Sequence, residues 1–388
     1  MTGGKSAQKI SAQKISAPNL VALDFSQLDR FEADDHLAAF AVFAKSAAAI
    51  CEAQKPLRPA SPAGAELEAV CRKTLADPPR TGPAARQFFV ENFRPFRVIA
   101  PDRDAAPFGF LTGYFEPLVQ GALRQSAEFT APLLARPDDL VTLAEGETVP
   151  GLDPNLSAAQ RLPQGRYAPY PERAAIEAGA IAAHTRPVVW LRDLLDVFLV
   201  QVQGSARIVL PDGTRRRAIY AGRNGQPYSS IGRALIDMGE VPAQDMGIAR
   251  LKQWMYAHGL QPGEAGANLM LRNKSYVFFA LEPDDPGSSG PIGGAGLPLS
   301  PLRSIAIDRS LWPYGLPFWI AADLPWSGPE SSPFQRLMIA QDTGSAILGS
   351  ARADLFFGTG DVAGARAGEI RHRCDFVVLL PRGDGDHL

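Results

Sequence analysis

Residues 337–368 read LMIAQDTGSAILGSARADLFFGTGDVAGARAG. An apolar run at 337–340 leads into Asp342, a Thr-Gly-Ser turn follows, and a second apolar run, 354–357, opens on Asp354. Apolar runs this short, bounded by Gly and Ser, are strand-like, because a helix of the same burial needs ten or more residues. Upstream, AIDRSLWPYGLPFWI (306–320) repeats the pattern: a strand at 304–307 stops at Asp308, and another at 318–321 follows Pro317. With 276–281 and 375–380, these strands and their Gly/Pro turns fit a small closed or sandwiched β structure.

The N-terminal third has a helical period instead. Leu37, Phe40, Phe43, Ala47 and Ile50 recur at helical spacing over 35–53, with Asp34 or Asp35 able to cap. Leu67, Val70, Cys71 and Leu75 continue the pattern over 65–76, and Phe88, Phe89 and Phe93 over 84–93, apart from the Pro-rich link 56–62. FGFLTGYFEP (108–117) is expected to form a short strand ending in a turn. Residues 199–210 and 214–220 are expected to pair as a hairpin about Asp212-Gly213. Helices are expected at 230–238 and 243–258, the second stopped by Gly259. Segment 283–301 should be a loop, and 358–364 a Gly-rich turn with the wrong spacing for a dinucleotide fingerprint.

The chain has 388 residues, 46% hydrophobic and 21% charged, with a net charge of −2. That is a globular composition with no basic stripe, which argues against nucleic acid and leaves a neutral polymer such as a glycan open. Three cysteines without CxxC spacing do not make a zinc site. Cys51 and Cys71 are expected to be buried apolar residues on helices, and a disulfide between them stays open. No run reaches membrane-spanning length, and the start lacks signal-peptide features. SAQKI occurs twice, at 6–10 and 11–15, so residues 1–17 are expected to be a disordered tail or an expression scar.

Asp308, Asp342 and Asp354 each sit where an expected strand meets a turn, which can aim a carboxylate into a cleft. Turn and cap chemistry is the competing explanation for any one of them. Asp342-Thr343-Gly344-Ser345 also matches the signature of pepsin-like proteases, but no second Asp-Thr-Gly or Asp-Ser-Gly supplies the partner aspartate. The histidines lack ligand spacing and there is no G-x-S-x-G elbow, so neither metal nor Ser-His catalysis is supported.

Taken in order, TGYFEP (112–117), VQGSARIVLPDG (202–213), YAGRNGQPYSSIGRALIDMGEV (220–241) and the two aspartate-bearing stretches resemble the membrane-bound lytic murein transglycosylase A family, with its three-aspartate (3D) domain. The resemblance spans about residues 86–381. It implies a mainly β fold with an N-terminal helical region: a double-psi β-barrel with a second β-barrel domain inserted. The barrel domain would take 18–118 and 273–388, and the insert 119–272. It implies that Asp354 is the catalytic acid and then base, with Asp342 as its neighbour. Asp308, Tyr114, Glu116, Gln203, Gly204, Ser205, Tyr220, Asn224, Thr343 and Gly344 would bind substrate, Glu116 either as a second carboxylate or as a rim charge. No metal or cofactor is implied. The implied partner is a peptidoglycan glycan strand, and the implied location the cell envelope, on the periplasmic side or at the outer membrane. The family's export signal and lipid-anchor cysteine are not matched, so membrane attachment stays open. An inverting hydrolase and a non-catalytic peptidoglycan-binding protein are the competing functions.

Overall fold

Three helices begin the fold where the apolar spacing puts them: α1 (His36–Cys51), α2 (Ala65–Ala76) and α3 (Gly82–Asn92). The computed structural model describes residues 18–100, 108–144, 147–284 and 290–383, so the SAQKI repeats lie outside the described residues. Asp35 caps α1 by accepting from the Ala38 amide at 3.0 Å, and Thr81 caps α3 with Pro83 in its first turn. Phe40, Phe43, Val70 and Phe89 turn inward from these helices and belong to the same buried core as Phe318 and Trp319. Cys71 is buried as expected, but Cys51 is exposed at the end of α1, and both thiols are free. Two strands flank the helices where none was expected: β1 (Asn19–Ala22) and β2 (Phe93–Ile99). They pair with each other, and β2 continues onto the barrel.

β3 (Gly109–Glu116) passes through Pro117 into β4 (Leu118–Ala122). The following strands are β5 (Ala131–Leu134), β6 (Leu140–Thr142), β7 (Ala158–Arg161), β8 (Tyr167–Pro169), β9 (Pro187–Leu191), β10 (Ala206–Val209), β11 (Arg215–Arg223) and β12 (Val277–Pro283). Helices α4 (Arg173–Glu177), α5 (Leu194–Gln203), α6 (Ile231–Asp237), α7 (Ile248–Ala257) and α8 (Ala265–Leu271) lie among them. A six-stranded sheet runs in the order β12-β11-β10-β4-β9-β5, and β6-β7-β8 form a small second one.

The expected hairpin is only half a hairpin. β10 and β11 pair as antiparallel strands, but 199–203 is helical, not extended. Asp193 accepts from the Asp196 amide at 2.9 Å, and Gly204 closes α5 at φ 83°. Leu195, Val197, Phe198, Leu199 and Val200 are all buried, so the helix is apolar nearly all round and its period is hidden. The expected helix over 243–258 begins instead as a separate 3-10 turn at Ala243–Asp245, before α7.

The last strands are β13 (Ser304–Ile307), β14 (Pro317–Leu324), β15 (Ser332–Asp342), β16 (Arg352–Thr359) and β17 (Arg371–Pro381). Helix α9 (Asp361–Gly368) follows β16 at once, so most of the expected Gly-rich turn at 358–364 is helix. Six strands close on themselves in the order β17-β14-β15-β13-β16-β3, with β3 returning to β17. The β13–β15 and β16–β3 pairs are parallel, and the other four contacts antiparallel. The fold is therefore mainly β, with a helical N-terminal region and a closed barrel sheet. A buried bidentate pair, Arg303 Nη2 to Asp34 at 2.7 Å, ties the N-terminal segment to the barrel.

Candidate active site

One row of residues crosses the barrel wall. Ala306 of β13 pairs with Asp342 on one side and Asp354 on the other, Asp354 pairs with Thr112, and Thr112 with Arg371. Opposed residues in neighbouring strands face the same way. Asp342 joins the row because of a bulge: Ile305 pairs with Ala340 and Ala306 with Asp342, leaving Gln341 as the extra residue. Gln341 turns into the core, where it accepts from Ser304 Oγ at 2.6 Å and donates to Ser46 Oγ at 2.9 Å. A polar side chain is thereby satisfied inside, and its neighbour is aimed outward.

The two carboxylates have unlike surroundings. Asp342 accepts from the Gly294 amide at 2.7 Å, the Thr343 amide at 2.8 Å and the Tyr114 hydroxyl at 2.8 Å. Among the described residues Asp354 accepts from Thr112 Oγ1 alone, at 2.5 Å, and that hydroxyl in turn accepts from Arg352 Nη2 at 2.6 Å. Burial pushes both carboxyls above the ordinary aspartate range. For Asp342 the Arg58 charge, the two amides and Tyr114 pull back toward ionisation. For Asp354 the opposing groups are Arg352 and Thr112, and the charge of Asp342 pushes further up. Of the two, Asp342 has the more donors to hold a negative charge and Asp354 the fewer, the asymmetry that a carboxylate paired with a proton-donating carboxyl requires. Burial, the Asp342 charge and the hydrogen bond to it hold the Tyr114 hydroxyl well above the usual phenol range, so it stays a donor.

A cavity of about 450 Å³ opens over this row. Of the residues expected at the site, Asp342, Asp354, Tyr114, Gln203, Gly204, Thr343 and Gly344 line it. Five others are placed elsewhere. Asp308 is buried, and its carboxylate accepts from Ser310 Oγ at 2.6 Å and from the Gly349 amide at 2.7 Å, which pins a turn. Glu116 is neither a rim charge nor a cavity carboxylate. It is fully buried between Arg217 at 2.9 Å and Arg207 at 3.2 Å, with Asp284 completing the cluster, and so joins β3 to β10 and β11. Asn224 is also fully buried, donating to the carbonyls of Pro171 and Lys274. Ser205 is buried, and Tyr220 stacks under Arg58, 4.1 Å from ring centre to guanidinium.

Sequence reasoning did not name Arg58, Thr112, Tyr228 or Arg352, which also line the cavity with Arg223, a residue of the 220–225 stretch expected at the groove. Thr112, Arg223, Tyr228 and Arg352 fall inside motifs singled out from the sequence. Arg58 lies in the Pro-rich link, and Gly294 in the expected loop, where composition carried no hint of a site. The Asp138, Asp139 and His184 group brings three possible metal-ligand atoms within 4.8 Å of one another. It lies outside the cavity, and Asp139 already accepts from Tyr170 and Gln160.

Comparison with known proteins bears on what this site belongs to. The MltA specific insert domain model matches residues 110–280, and the 3D domain model matches 303–380. The crystal structure of a membrane-bound lytic murein transglycosylase from Agrobacterium tumefaciens is 34% identical, with a TM-score of 0.83 over 94% of this chain and 98% of that one. The chain belongs to the MltA family of membrane-bound lytic murein transglycosylases. A Vibrio cholerae MltA is 36% identical over 210 residues, which are 52% of this chain and 54% of that protein. The chain thus spans about half the length of that curated relative. Escherichia coli MltA, solved with bound chitohexaose, is 26% identical with a TM-score of 0.65, covering 95% of each chain.

Proposed function

We propose that this chain is a lytic transglycosylase acting on peptidoglycan. It would cleave the β-1,4 bond from N-acetylmuramic acid to N-acetylglucosamine and leave 1,6-anhydromuramoyl ends. The observation that carries the reading is the pair flanking Ala306: Asp342 held by three donors, and Asp354 held by one in a buried setting. Asp354 is the acid in this reading. Its proton goes to the glycosidic oxygen as the C1–O bond breaks, and the bond's electron pair stays with the departing sugar. The muramoyl 6-hydroxyl then bonds to C1, and its proton passes to the Asp354 carboxylate, which restores the starting state. No water is consumed. The attack is intramolecular, which removes most of the entropic cost of bringing in a nucleophile. Asp342 keeps a negative charge near the developing oxocarbenium ion. Gln203, Gly204, Thr343 and Gly344 are the proposed glycan contacts, and chitohexaose in the E. coli relative supports a glycan strand as ligand.

The same reading takes the closed ring of β3 and β13–β17 as a double-psi barrel, supported by its two parallel strand pairs. Residues 119–272 are taken as the inserted domain. Its six-stranded sheet also takes in β12 (Val277–Pro283), beyond residue 272, so the strand expected at 276–281 pairs with β11 and not with the barrel strands. No helix among the described residues is long and apolar enough to cross a membrane. The proposed place of action is the periplasmic side of the cell envelope, where the substrate lies.

Digestion of purified sacculi in ¹⁸O-labelled water tests the activity. Anhydro ends without label are expected. Reducing ends carrying label would replace the reading with an inverting hydrolase, and binding without any product would leave a non-catalytic wall protein.

A further inference from the structure

Among the described residues, two arginines at the cavity wall, Arg58 and Arg223, form no close ion pair with a carboxylate. β11 carries a bulge of its own: Tyr220 pairs with Phe279, Gly222 with Phe278 and Arg223 with Val277, so Ala221 is the extra residue. Tyr220 and Arg223 are therefore two strand positions apart rather than three, and their side chains share a face. On that face Arg58 lies over the Tyr220 ring. Among the described residues the Arg58 side chain hydrogen-bonds only to the Thr343 carbonyl, at 3.4 Å. Asp342, the acid its charge acts on, already accepts from three donors.

Arg223 is more isolated. Its Nη2 donates to the Gln226 carbonyl, and its buried Nε has no hydrogen-bond partner among the described residues. Among the described residues no carboxylate pairs with it. Burial lowers its pKa, and so do the charges of Arg58 and Arg309. An unpaired guanidinium held out of water is costly unless an anion arrives to meet it. Its planar N–H fork is shaped for a carboxylate, and a poorly hydrated wall strengthens such a contact.

We propose that Arg58 and Arg223 form a carboxylate-binding subsite of the groove, which selects glycan strands that carry negative charge over neutral ones. This rests on the peptidoglycan reading. The carboxylate has two sources there: the lactyl group of a muramoyl residue without its peptide, or an acidic group of an attached stem. A plain N-acetylglucosamine polymer offers neither.

Calorimetric binding to the Asp354→Asn protein, expected to hold strands without turnover, tests the subsite. Stem-free strands and stem-bearing strands are each compared with the same strands after conversion of their carboxylates to methylamides. The expected result is at least about tenfold tighter binding of the carboxylated form, the size of one hydrogen bond to a charged group. That ratio should fall toward one when Arg223→Gln is added, and Arg223→Lys should keep part of it. Arg58→Gln should also lower it, and added salt should narrow it. Preference in the stem-free arm assigns the lactyl group, and preference in the stem-bearing arm the stem. Equal binding of carboxylated and methylamide strands in both arms overturns the subsite. So does a ratio that survives both glutamine substitutions in proteins whose melting matches the parent. Anhydro-end release by the wild type is read separately: its absence rejects the transglycosylase, whereas the binding ratio alone decides the subsite.

Discussion

Replacing Tyr114 with Phe removes one hydrogen bond and little else. The ring stays packed on Phe356, with centroids 5.3 Å apart, while Asp342 keeps two of its three donors, the Gly294 and Thr343 amides. A hydrogen bond to a charged group is worth about 1.5–3 kcal/mol. At 1.36 kcal/mol per unit, its loss raises the Asp342 pKa by about 1–2 units. The sign follows from which form the donor favours. A hydroxyl donating to a carboxylate stabilises the ionised state, so without it Asp342 takes a proton at higher pH. Ionised Asp342 is the form that keeps Asp354 protonated and faces the developing positive charge. The acidic limb of kcat/KM for anhydro-end release should therefore move up by about 1–2 pH units, with a smaller loss on the plateau. Thr112→Val acts on the other partner. It removes the donor to Asp354, raises that pKa, and should shift the alkaline limb upward instead. Both limbs belong to the coupled pair, so the readout is which limb moves most. An acidic limb that stays put or moves down in Tyr114→Phe, with the fold intact by circular dichroism, would refute the role given to Asp342.

Three further outcomes are expected. Asp354→Asn should cut turnover by at least ~10²–10⁴-fold while strand binding persists, because one group would lose both its acid and its base role; full activity in a folded protein removes Asp354 from the mechanism. Glu116→Gln should cost about 3 kcal/mol in denaturant melts, toward the low end for breaking a buried ion pair, because Asp284 remains 3.4 Å from both arginines; an unchanged midpoint would mean that Asp284 alone satisfies them. In Gly293→Ala the new methyl would sit 2.7 Å from the Gln341 carbonyl and 2.6 Å from Leu299, so the segment must shift and draw the Gly294 amide off Asp342. That should lower kcat more than it raises KM, and equal change in both would argue for a general loosening of the groove.

Much of this protein is legible along the chain. The cap Asp35, the helical spacing over 36–51 and 65–76, and the apolar runs of the last third each report local chemistry, and those elements form where they are expected. The ordered motifs also carried the family and the two aspartates of the cavity. What local chemistry cannot report is partnership. α5 was mistaken for a strand because a helix buried on nearly every side loses its polar stripe. Asp308 and Glu116 carry the same carboxyl chemistry as Asp342 and Asp354, and only the neighbours brought by folding separate a turn pin and a buried ion pair from a cavity acid. Arg58 and Gly294 come to the site from remote segments with no pattern of their own. The two bulges make the point most sharply. Strand alternation read from the sequence would put Asp342 and Ala306 out of step, and Tyr220 and Arg223 on opposite faces. One extra residue in each ladder, Gln341 and Ala221, brings each pair into line. Register is a property of two strands together, fixed by what each side chain can bury or satisfy across the gap, and it exists only once both strands are in place.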